Sequence, residues 1–529
     1  MPYTDQEKPI ELLVDTQLGI QNALQPTSLP KGAYLVKKNA YQNKIGSNAK
    51  RPGSTVVTSA ALAATIQYLT EYRDTPTSSS LLAASGTTLY KYDGASTLTA
   101  QTMTNALNKS DIYTLAFTNL ALTSILFITD GSAVKSYDGS AVALITPAAD
   151  DVSPAPVNYL ATLNTLLPIY CWTFKGFLFI SIGDDSAWHS KLGEFDYFPI
   201  TFTTSYVRNN DYITGCGVPF GDVCLLPMRR GWGVTTYDAS VSTLMIGNHF
   251  LNTISGNVAP RAIAKLAYPD GSQTVAYLSD DSYYEVYDTG FIDPSGSGTR
   301  NLATRSLMKN KVDFTSYGFT MAEMTAAEAY FDTTLNLYIS TIKRGAVNYA
   351  FVYDVRTKEW DLWDNIRAES TIRFNGILYY AGSTKLLHKY DATLATDYDD
   401  FAQTTGTIVI WDCYLDILML EDSGFQSYLD EVVINAKGFP TTSTIDLTIV
   451  GTSDTSVYLN AVQSTVATWD LSLWDFCVIA NLDFSSIVTP PNRTIVKKRS
   501  YFFQIRVKND KNELVELYKI KLKGRISGN

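Results

Sequence analysis

Two stretches of the sequence decide the fold: LLAASGTTLYKYDG at residues 81–94 and ILFITDGSAVKSYDG at residues 125–139. Each has an apolar run, a tight turn at a glycine, and a polar run that ends in Tyr-Asp-Gly. The two Tyr-Asp-Gly signatures lie 45 residues apart, which matches the period of a four-stranded propeller blade, about 40–50 residues. Glycine-containing pairs supply the positive φ angles of hairpin turns, and the apolar runs suit strands buried on both faces.

Looser copies of the same unit extend the pattern to about residue 395. They begin near Tyr170, Ile213, Ala262, Ala329 and Thr371, and most end in a Tyr-Asp pair, at Tyr237-Asp238, Tyr287-Asp288, Tyr353-Asp354 and Tyr390-Asp391. A single blade cannot bury both of its faces, so blades stack radially and close into a ring. We count seven units, or six if the first is not a blade, since the Ala-rich Ser59–Tyr72 is compatible with a helix.

The pattern changes after about residue 404, where Tyr-Asp endings stop and antiparallel-looking strands continue. Phe503, Ile505 and Val507 alternate with polar residues, and so do Ile520, Leu522 and Ile526, as in half-buried strands. The sequence therefore predicts an all-β protein, a β-propeller followed by a C-terminal β-sandwich-like domain. The predicted divisions are an N-terminal extended segment at 1–56, serving the oligomer or propeller closure, the propeller at 57–403, and the sandwich at 404–529.

Two long connections interrupt the propeller pattern. Pro147–Pro156 is rich in Pro, Ala and Asp and is predicted to be an exposed linker. Arg300–Met321 is predicted to be a protruding loop or short helix, of the kind that contacts partners.

The composition limits the class of protein. The N-terminus lacks the shape of a secretory signal, and no run of 18 apolar residues occurs, so we expect no membrane-spanning segment. The five cysteines, which include no CxxC pair, are expected to be reduced and buried, although Cys216 and Cys224 could face each other across a hairpin.

Candidate catalytic groups are sparse. The three histidines, His189, His249 and His388, are far apart, and each is expected to be structural rather than a metal ligand or part of a Ser-His-Asp triad. Adjacent acids such as Asp184-Asp185 and Asp280-Asp281 point to opposite faces of a strand or lie solvated in turns, unlike the opposed carboxylates of a glycosidase. We expect no enzyme activity, no cofactor and no metal.

Charge is distributed unevenly along the chain. The net charge is −10, with +3 on residues 1–55 and +8 on residues 490–529, which leaves −21 on the acidic middle. Basic groups at the ends, and in Arg300–Met321, are the candidate interface residues: Arg51, Lys309, Lys311, Lys497, Lys498, Arg499, Lys519, Lys521, Lys523 and Arg525. The C-terminal groups could contact DNA phosphates, pair with the acidic body of a neighbouring subunit, or form the solvated face of an outer strand.

Four short signatures carry a resemblance to a known family. They are Asn39–Gly46 leading to Arg51-Pro52-Gly53, Trp188–Phe198, Val258–Ile263 and Val352–Trp360. In these signatures the chain resembles the tail nozzle, tail-hub or packaged-DNA stabilisation (tail tubular) proteins of short-tailed bacteriophages. The similarity is spread over most of the chain as scattered short segments.

The resemblance implies a structural virion protein. Such proteins form rings, usually sixfold, below the portal and adaptor, retain the packaged genome and conduct DNA at ejection. It implies a homo-oligomer, expected to be a hexameric ring, that is located in the virion tail after synthesis in the host bacterial cytoplasm. DNA would pass through its bore without sequence-specific binding. The alternatives are a carbohydrate-binding or depolymerising propeller, and a distal-tail or baseplate adaptor of a long-tailed phage.

Overall fold

The structure is a computed structural model of the chain. It describes residues 8–14, 18–23, 30, 33–43, 47–75, 77–108, 113–118, 124–149, 157–206, 211–237, 246–250, 255–292, 300–366, 368–399, 403, 405–418, 427–439, 445–451, 457–459, 492–500 and 503–526. Most described elements are strands, arranged in eight sheets. Within these ranges, no helix has the length and apolar character needed to cross a bilayer.

Blades 1 to 3 are successive antiparallel units along the chain. Blade 1 consists of Ile66–Thr75, Ser78–Ser85, Thr88–Tyr92 and Leu98–Ala100. Blade 2 consists of Tyr113–Thr118, Ser124–Thr129, Lys135–Tyr137 and Ala141–Leu144, with Thr102–Met103 added in parallel at its edge. Blade 3 consists of Tyr170–Phe174, Phe177–Ser181, Ser186–His189 and Thr203–Ser205. A short helix, Leu160–Thr165, precedes blade 3.

Blades 4 to 6 continue the same order. Blade 4 consists of Val218–Phe220, Val223–Pro227, Trp232–Tyr237 and Ile246–Phe250. Blade 5 consists of Ala264–Ala267, Gln273–Leu278, Tyr283–Ile292 and Arg300–Ser306. Blade 6 consists of Glu328–Asp332, Leu337–Arg344, Val347–Asp354 and Glu359–Trp363.

Blade 7 combines both ends of the propeller sequence. Ala368–Phe374, Ile377–Gly382 and Leu387–Asp391 supply three strands, and Gly53–Val56, which we call the closure strand, pairs antiparallel with the third. Thr396–Asp397 and Thr407–Ile408 extend this sheet beyond the closure strand. The first strand of blade 7 lies against that of blade 1, which completes a ring of seven blades. The all-β propeller fold is confirmed, with seven blades.

The second strand of each blade explains the apolar runs of the repeat. In blade 1, Leu81 and Ala83 pack toward blade 7, whereas Leu82 and Ala84 pack toward blade 2. All four side chains are at most 1% exposed. Because successive side chains of a strand point to opposite faces, a strand between two neighbouring blades must be apolar at every position.

Two-residue turns join neighbouring strands where the sequence offers residues that tolerate positive φ. Asn375 and Gly376 connect the first two strands of blade 7 with φ angles of 47° and 78°. Positive φ at both central residues is the geometry that matches the twist of a hairpin, and Asn-Gly adopts it at little cost.

The C-terminal domain is a sandwich of two sheets. The first sheet consists of Ala40–Tyr41, Asn48–Lys50, Leu514–Ile526, Ser427–Phe439 and Asn492–Ser500, with Lys8–Val14 paired to Leu514–Ile526. The second consists of Tyr34–Lys38, Trp411–Leu418, Phe503–Asn509, Asp446–Gly451 and Val457–Leu459. Their shared core contains the apolar sets that the alternation predicts, including Phe503, Ile505, Val507, Ile520 and Leu522.

The N-terminal segment belongs to both parts of the molecule. Tyr34–Lys38, which we call the linking strand, pairs with Trp411–Leu418 of the sandwich and, through Lys38 and Leu362, with the last strand of blade 6. Blade 6 and the second sandwich sheet therefore form one continuous sheet of nine strands. This connection fixes the sandwich to the propeller through backbone hydrogen bonds rather than through a free linker.

One local prediction, and one alternative that the sequence left open, differ from the structure. Arg300–Met321 was predicted to be a loop or short helix, but Arg300–Ser306 is the fourth strand of blade 5, followed by a 3-10 turn at Phe314–Tyr317 and a short helix at Met321–Thr325. The Ala-rich stretch before residue 66 contains no helix, and Ile66–Thr75 is the first strand of blade 1. Most of the predicted linker Pro147–Pro156 lies outside the described residues.

The closure strand leaves no room for a side chain at Gly53. A Cβ atom at this position would overlap the carbonyl oxygen of Thr396. We therefore expect Gly53→Ala to lower the free energy of unfolding by about 2–3 kcal/mol, the usual cost of overpacking, as measured by urea denaturation. Ala60→Ser, at an exposed position beyond the strand, is the matched control. Equal stability of the two variants would contradict the tight fit of the closure strand.

Candidate functional site

A cavity lies on the axis of the propeller, where the blades converge. Its volume is about 330 Å³, and its walls come from the first strands of blades 1, 3, 6 and 7 and from the segments that enter blades 4 and 5. Each water occupies about 30 Å³, so the cavity has room for about ten waters. It is far too small for a nucleic-acid duplex, whose major groove alone is about 12 Å wide.

Glu328, at the start of the first strand of blade 6, is the central acid of this cavity. Its Oε1 accepts a 2.6 Å hydrogen bond from the backbone N–H of Thr371 in blade 7. Its Oε2 is buried and has no hydrogen-bond partner. The nearby Thr341 hydroxyl donates to the carbonyl of Ala368 at 3.1 Å. Burial raises the pKa of Glu328 to about 7, against the lowering effect of the Arg261 charge.

Arg261 lies across the cavity wall and ties three blades together. Its guanidinium donates to the carbonyl of Gln67 in blade 1, and its own carbonyl accepts from the N–H of Ala329 in blade 6 at 2.9 Å. Arg261 precedes the first strand of blade 5. The axial cavity is therefore fixed by contacts among blades 1, 5 and 6.

The cysteines at the cavity are poor nucleophiles. Burial raises the pKa of the Cys171 thiol to about 12, and burial raises that of Cys216 well above its ordinary value. Reactive cysteines require a stabilised thiolate, so neutral thiols of this kind are unreactive. The side chains of Cys171, Cys216, Cys224 and Cys413 are thiols rather than disulfides, and Cys224 pairs in register with Pro219 rather than with Cys216. Cys477 lies outside the described residues.

Two of the histidines pack within blades. The ring of His189 stacks on Phe202 with centroids 4.7 Å apart, and burial lowers its pKa. The ring of His388 stacks on Tyr380, and its Nε2 lies 2.6 Å from the Thr384 hydroxyl. The side chain of His249 is outside the description. In the part of the chain that the structure describes, no three His, Cys, Asp or Glu side chains are grouped to hold a metal ion.

A second cleft, of about 550 Å³, is lined mainly by blade 5, together with Phe220 and Gly221 of blade 4 and Lys358 of blade 6. Arg305 lines it and donates from Nε to the buried Glu285 at 2.6 Å, with its guanidinium over the ring of Tyr287. The second oxygen of Glu285 accepts from the hydroxyls of Tyr268 and Thr274. The carboxylate of Glu285 thus has three donors, which orient Arg305 along the cleft wall.

Arg51 is the centre of the junction between propeller and sandwich. Its side chain is fully buried and forms a bidentate ion pair with Asp397, at 3.1 and 2.5 Å. The same guanidinium donates to Asn39 Oδ1 at 3.0 Å and to the carbonyl of Asp364 at 2.8 Å. The Ser54 hydroxyl of the closure strand also donates to Asp397. Arg51 therefore connects the closure strand, blade 7 and the loop after blade 6.

Two further lysines are buried at this junction. Lys37 of the linking strand lies 2.8 Å from Asp361 of blade 6, and burial raises the pKa of Asp361 to about 6. Lys50 donates to Asn509 Oδ1 at 2.8 Å and to the carbonyl of Lys511 at 2.7 Å, and burial lowers its pKa to about 7. Buried charges are tolerated only where such partners are supplied.

The predicted interface residues fall into four groups, of which the last is the C-terminal basic row of Lys519, Lys521, Lys523 and Arg525. Arg51, predicted to lie at an interface, is instead inside the chain, because its five donors are used by the junction. Lys309 is exposed, whereas Lys311 pairs with Glu359 at 2.9 Å. The side chains of Lys497, Lys498 and Arg499 lie outside the description, although their strand, Asn492–Ser500, is described.

The C-terminal basic row lies on the strand Leu514–Ile526, facing away from the sandwich core. Lys519 is exposed, and Lys521 pairs with Glu11 of the N-terminal strand. Lys523 is half-buried opposite Glu11 and Glu431 in register, and Arg525 pairs with Asp430 at 2.8 Å. The row is partly neutralised within the chain, which leaves Lys519 as its most exposed described member.

The sequence did not single out Glu328, Asp397 or Asp361. Asp361 directly follows the signature Val352–Trp360, and Asp397 is two residues from the adjacent acids Asp399-Asp400. Neither pattern indicates a buried acid, because each of the three acids acquires its partner from a distant part of the chain. The signature Val258–Ile263 did include Arg261, which contacts the cavity. The available sequence signal for Glu328 was an acid directly before the apolar run Ala329-Tyr330-Phe331.

No family model and no curated protein matches the sequence. Among solved structures, the chain is similar to the extracellular domain assigned to a hybrid two component system from B. thetaiotaomicron, at 12% identity and a TM-score of 0.38. That match covers 75% of this chain and only 55% of the other. A chain of the Mitotic Checkpoint Complex matches at 12% identity and a TM-score of 0.35, covering 64% of this chain and 94% of the other. Likenesses at these scores carry no functional argument.

The strand pairing within the chain itself defines its fold class. The chain is a seven-bladed β-propeller closed by an N-terminal strand and continuous with a β-sandwich.

Removal of one partner of the Arg51–Asp397 pair should be costly. Asp397→Asn leaves a buried guanidinium without its counter-charge, and we expect it to lower the free energy of unfolding by about 3–5 kcal/mol. The matched control is Asp74→Asn, which breaks the partly exposed pair of Asp74 with Lys91 and should cost about 1 kcal/mol or less. Urea denaturation of both variants is the measurement. If Asp397→Asn lowers the free energy of unfolding no more than Asp74→Asn does, the Arg51–Asp397 pair does not stabilise the junction as described.

The buried carboxyl of Glu328 should make stability depend on pH. Its folded pKa of about 7 lies above its ordinary value of 4.5, so between these values the folded state holds a proton that the unfolded state has released. Stability should therefore fall as the pH rises from 4.5 to 7 and then level off. The free energy of unfolding should be measured by urea denaturation at several pH values for the wild type and for Glu328→Gln. The difference between the two pH profiles should give the contribution of Glu328. The exposed Glu194→Gln is the control, and an unchanged slope in Glu328→Gln would refute the assignment.

Proposed function

We propose that the chain is a structural virion protein, a subunit of an oligomeric ring that forms the tail nozzle or hub of a short-tailed phage. In this function the ring retains the packaged genome and conducts DNA at ejection. The observation that carries the proposal is the combination of a closed propeller with a sandwich fixed to it by one continuous sheet. A propeller and a sandwich joined by one sheet suit a ring that must withstand the pressure of a packaged genome, and the four sequence signatures resemble those of this family.

The small volume of the axial cavity favours a DNA channel between subunits over a channel through each propeller. A cavity of about 330 Å³ cannot conduct DNA, so a channel for DNA would have to be enclosed by several copies of the chain. A ring of identical subunits encloses such a channel by symmetry.

The charge distribution is consistent with this arrangement. The middle of the chain carries −21 and residues 490–529 carry +8. An acidic wall around the bore would let DNA slide, because it offers the phosphates no cations. The basic C-terminal sheet of one subunit would then contact the acidic propeller of the next, which steers assembly and fixes its register. A bore lined mainly by Lys and Arg would contradict the proposal.

The oligomeric state and its dependence on Lys519 test the proposal. Mass measurements should be made on the full chain, alone and together with the portal and adaptor proteins of its phage. We expect a ring, in at least one of these samples, whose dissociation increases with salt. Lys519→Glu should weaken assembly about tenfold or more through like-charge contact with the acidic neighbour.

The control variant is Lys343→Glu, which reverses an exposed lysine on blade 6 and should assemble normally. A monomer under both conditions would overturn the ring. If both variants assemble equally well, the proposed contact of Lys519 with an acidic neighbour is wrong, whereas the proposal of a ring still holds.

A further inference from the structure

The side chains of Lys37 and Asp361 form an unusual buried pair at the junction between the sandwich and blade 6. Lys37 Nζ lies 2.8 Å from Asp361 Oδ1, and the two side chains are 0% and 5% exposed. Neither atom has a hydrogen bond, although a lysine ammonium group carries three donors. Their contact has the distance of a hydrogen bond but not its angles. Buried polar groups in native proteins are nearly always hydrogen-bonded, so this pair needs a physical explanation.

Two other buried lysines of the chain have the hydrogen bonds that Lys37 lacks. Lys135 is buried beside Asp130 and donates to both of its carboxylate oxygens, at 3.1 and 3.0 Å. Lys50 donates to two acceptors of the sandwich, at 2.8 and 2.7 Å. The contact of Lys37 with Asp361 therefore differs from the way in which this chain buries its other charged lysines.

The surroundings of the pair favour its uncharged form. Cys413, opposite Lys37 in the strand register, is a fully buried neutral thiol, because burial raises its pKa to about 12. The ring of Tyr34 lies 5.5 Å from Lys37 Nζ and presents an aromatic face rather than a hydrogen-bond acceptor. Burial raises the pKa of Asp361 to about 6, against the lowering effect of the Lys37 charge. An ion pair and a neutral pair differ only in the position of one proton, and burial disfavours the charged forms.

An amine beside a carboxylic acid in a dry site has the components of an amide bond. The Cγ atom of Asp361 lies at most about 4 Å from Lys37 Nζ, because a carbon–oxygen bond is about 1.2 Å long. Reacting atoms are about 3–3.5 Å apart in a near-attack geometry, so a small rotation of either side chain is sufficient. Condensation forms the Nζ–Cγ bond and breaks one Cγ–O bond. The acid hydroxyl and one hydrogen of the amine leave together as water, so the step needs no oxidant or reductant.

We propose that Lys37 and Asp361 form an intramolecular isopeptide bond, which joins the linking strand covalently to blade 6. The register between these two strands is a single residue pair, Lys38 with Leu362, so the bond reinforces a place where the nine-stranded sheet has little backbone pairing. It also replaces two buried charged groups by one neutral amide, which lowers the cost of burial. The bond is independent of ring assembly and goes beyond the structural function proposed above.

The intact mass of the purified, denatured full chain tests the bond. We expect the wild type to weigh about 18 Da less than the mass calculated from its sequence, since one water is lost. Lys37→Met has no amine at this position and should show no deficit. Lys135→Met, which removes the hydrogen-bonded lysine beside Asp130, is the matched control and should keep the deficit. The exposed Lys343→Met serves as the control if Lys135→Met does not fold.

Peptide mapping separates the isopeptide bond from other losses of water. Trypsin does not cleave after an amidated lysine, so the digest should contain a branched peptide in which Lys37 is joined to Asp361. A wild-type chain with its full calculated mass would overturn the proposal and leave an ion pair at this site. A deficit that persists in Lys37→Met, or that maps to an unbranched peptide such as an Asp-Gly succinimide, would also overturn it.

Discussion

The ion pair between Arg51 and Asp397 is the interaction on which the architecture depends. Its two members are separated by nearly the whole propeller sequence and are both excluded from solvent. A terminal strand added to a blade edge gains only a few backbone hydrogen bonds, and chain ends of this kind usually fray. The guanidinium of Arg51 offsets this tendency, because it bonds to Asp397, Asn39 and the carbonyl of Asp364 at once. The closure strand begins two residues later.

Closure of the ring determines the geometry of the axial cavity. Thr371, which bonds to Glu328, is in the first strand of blade 7, and this strand packs against blade 1 only when the ring is closed. Arg261 reaches from the entry of blade 5 to Gln67 of blade 1. The cavity therefore exists because all seven blades are held together. The same N-terminal segment continues as the linking strand, so closure of the propeller and attachment of the sandwich are mechanically coupled.

The parts of the fold that arise from local chemistry could be predicted from the sequence. The Tyr-Asp-Gly signature is one example, since Asp93 Oδ1 accepts from the N–H groups of Ala95, Ser96 and Thr97, and Asp138 Oδ1 accepts from those of Ser140 and Ala141. An aspartate at this position stabilises the turn after a strand. The alternation in the last two strands likewise identified the sandwich core.

The parts that arise from distant pairing could not be predicted. Arg51 was expected at an interface because a lone arginine in a basic segment gives no sign of its partner 346 residues away. Glu328 was missed because its environment is formed by strands from several blades. The same limit applied to Lys37 and Lys50, whose acceptors come from blade 6 and the sandwich. A cavity on a propeller axis is assembled by topology, and no single stretch of sequence contains it.

Hydrogen exchange of the closure strand tests the central claim most directly. Residues 53–56 and the third strand of blade 7, Leu387–Asp391, are hydrogen-bonded partners, and both should exchange only with global unfolding of the propeller. The rate should match that of buried strands in blade 1, and Asp397→Asn should accelerate exchange in both segments together. Rapid exchange of residues 53–56 in the wild type, with the rest of blade 7 still protected, would contradict a ring that is closed and held by Arg51.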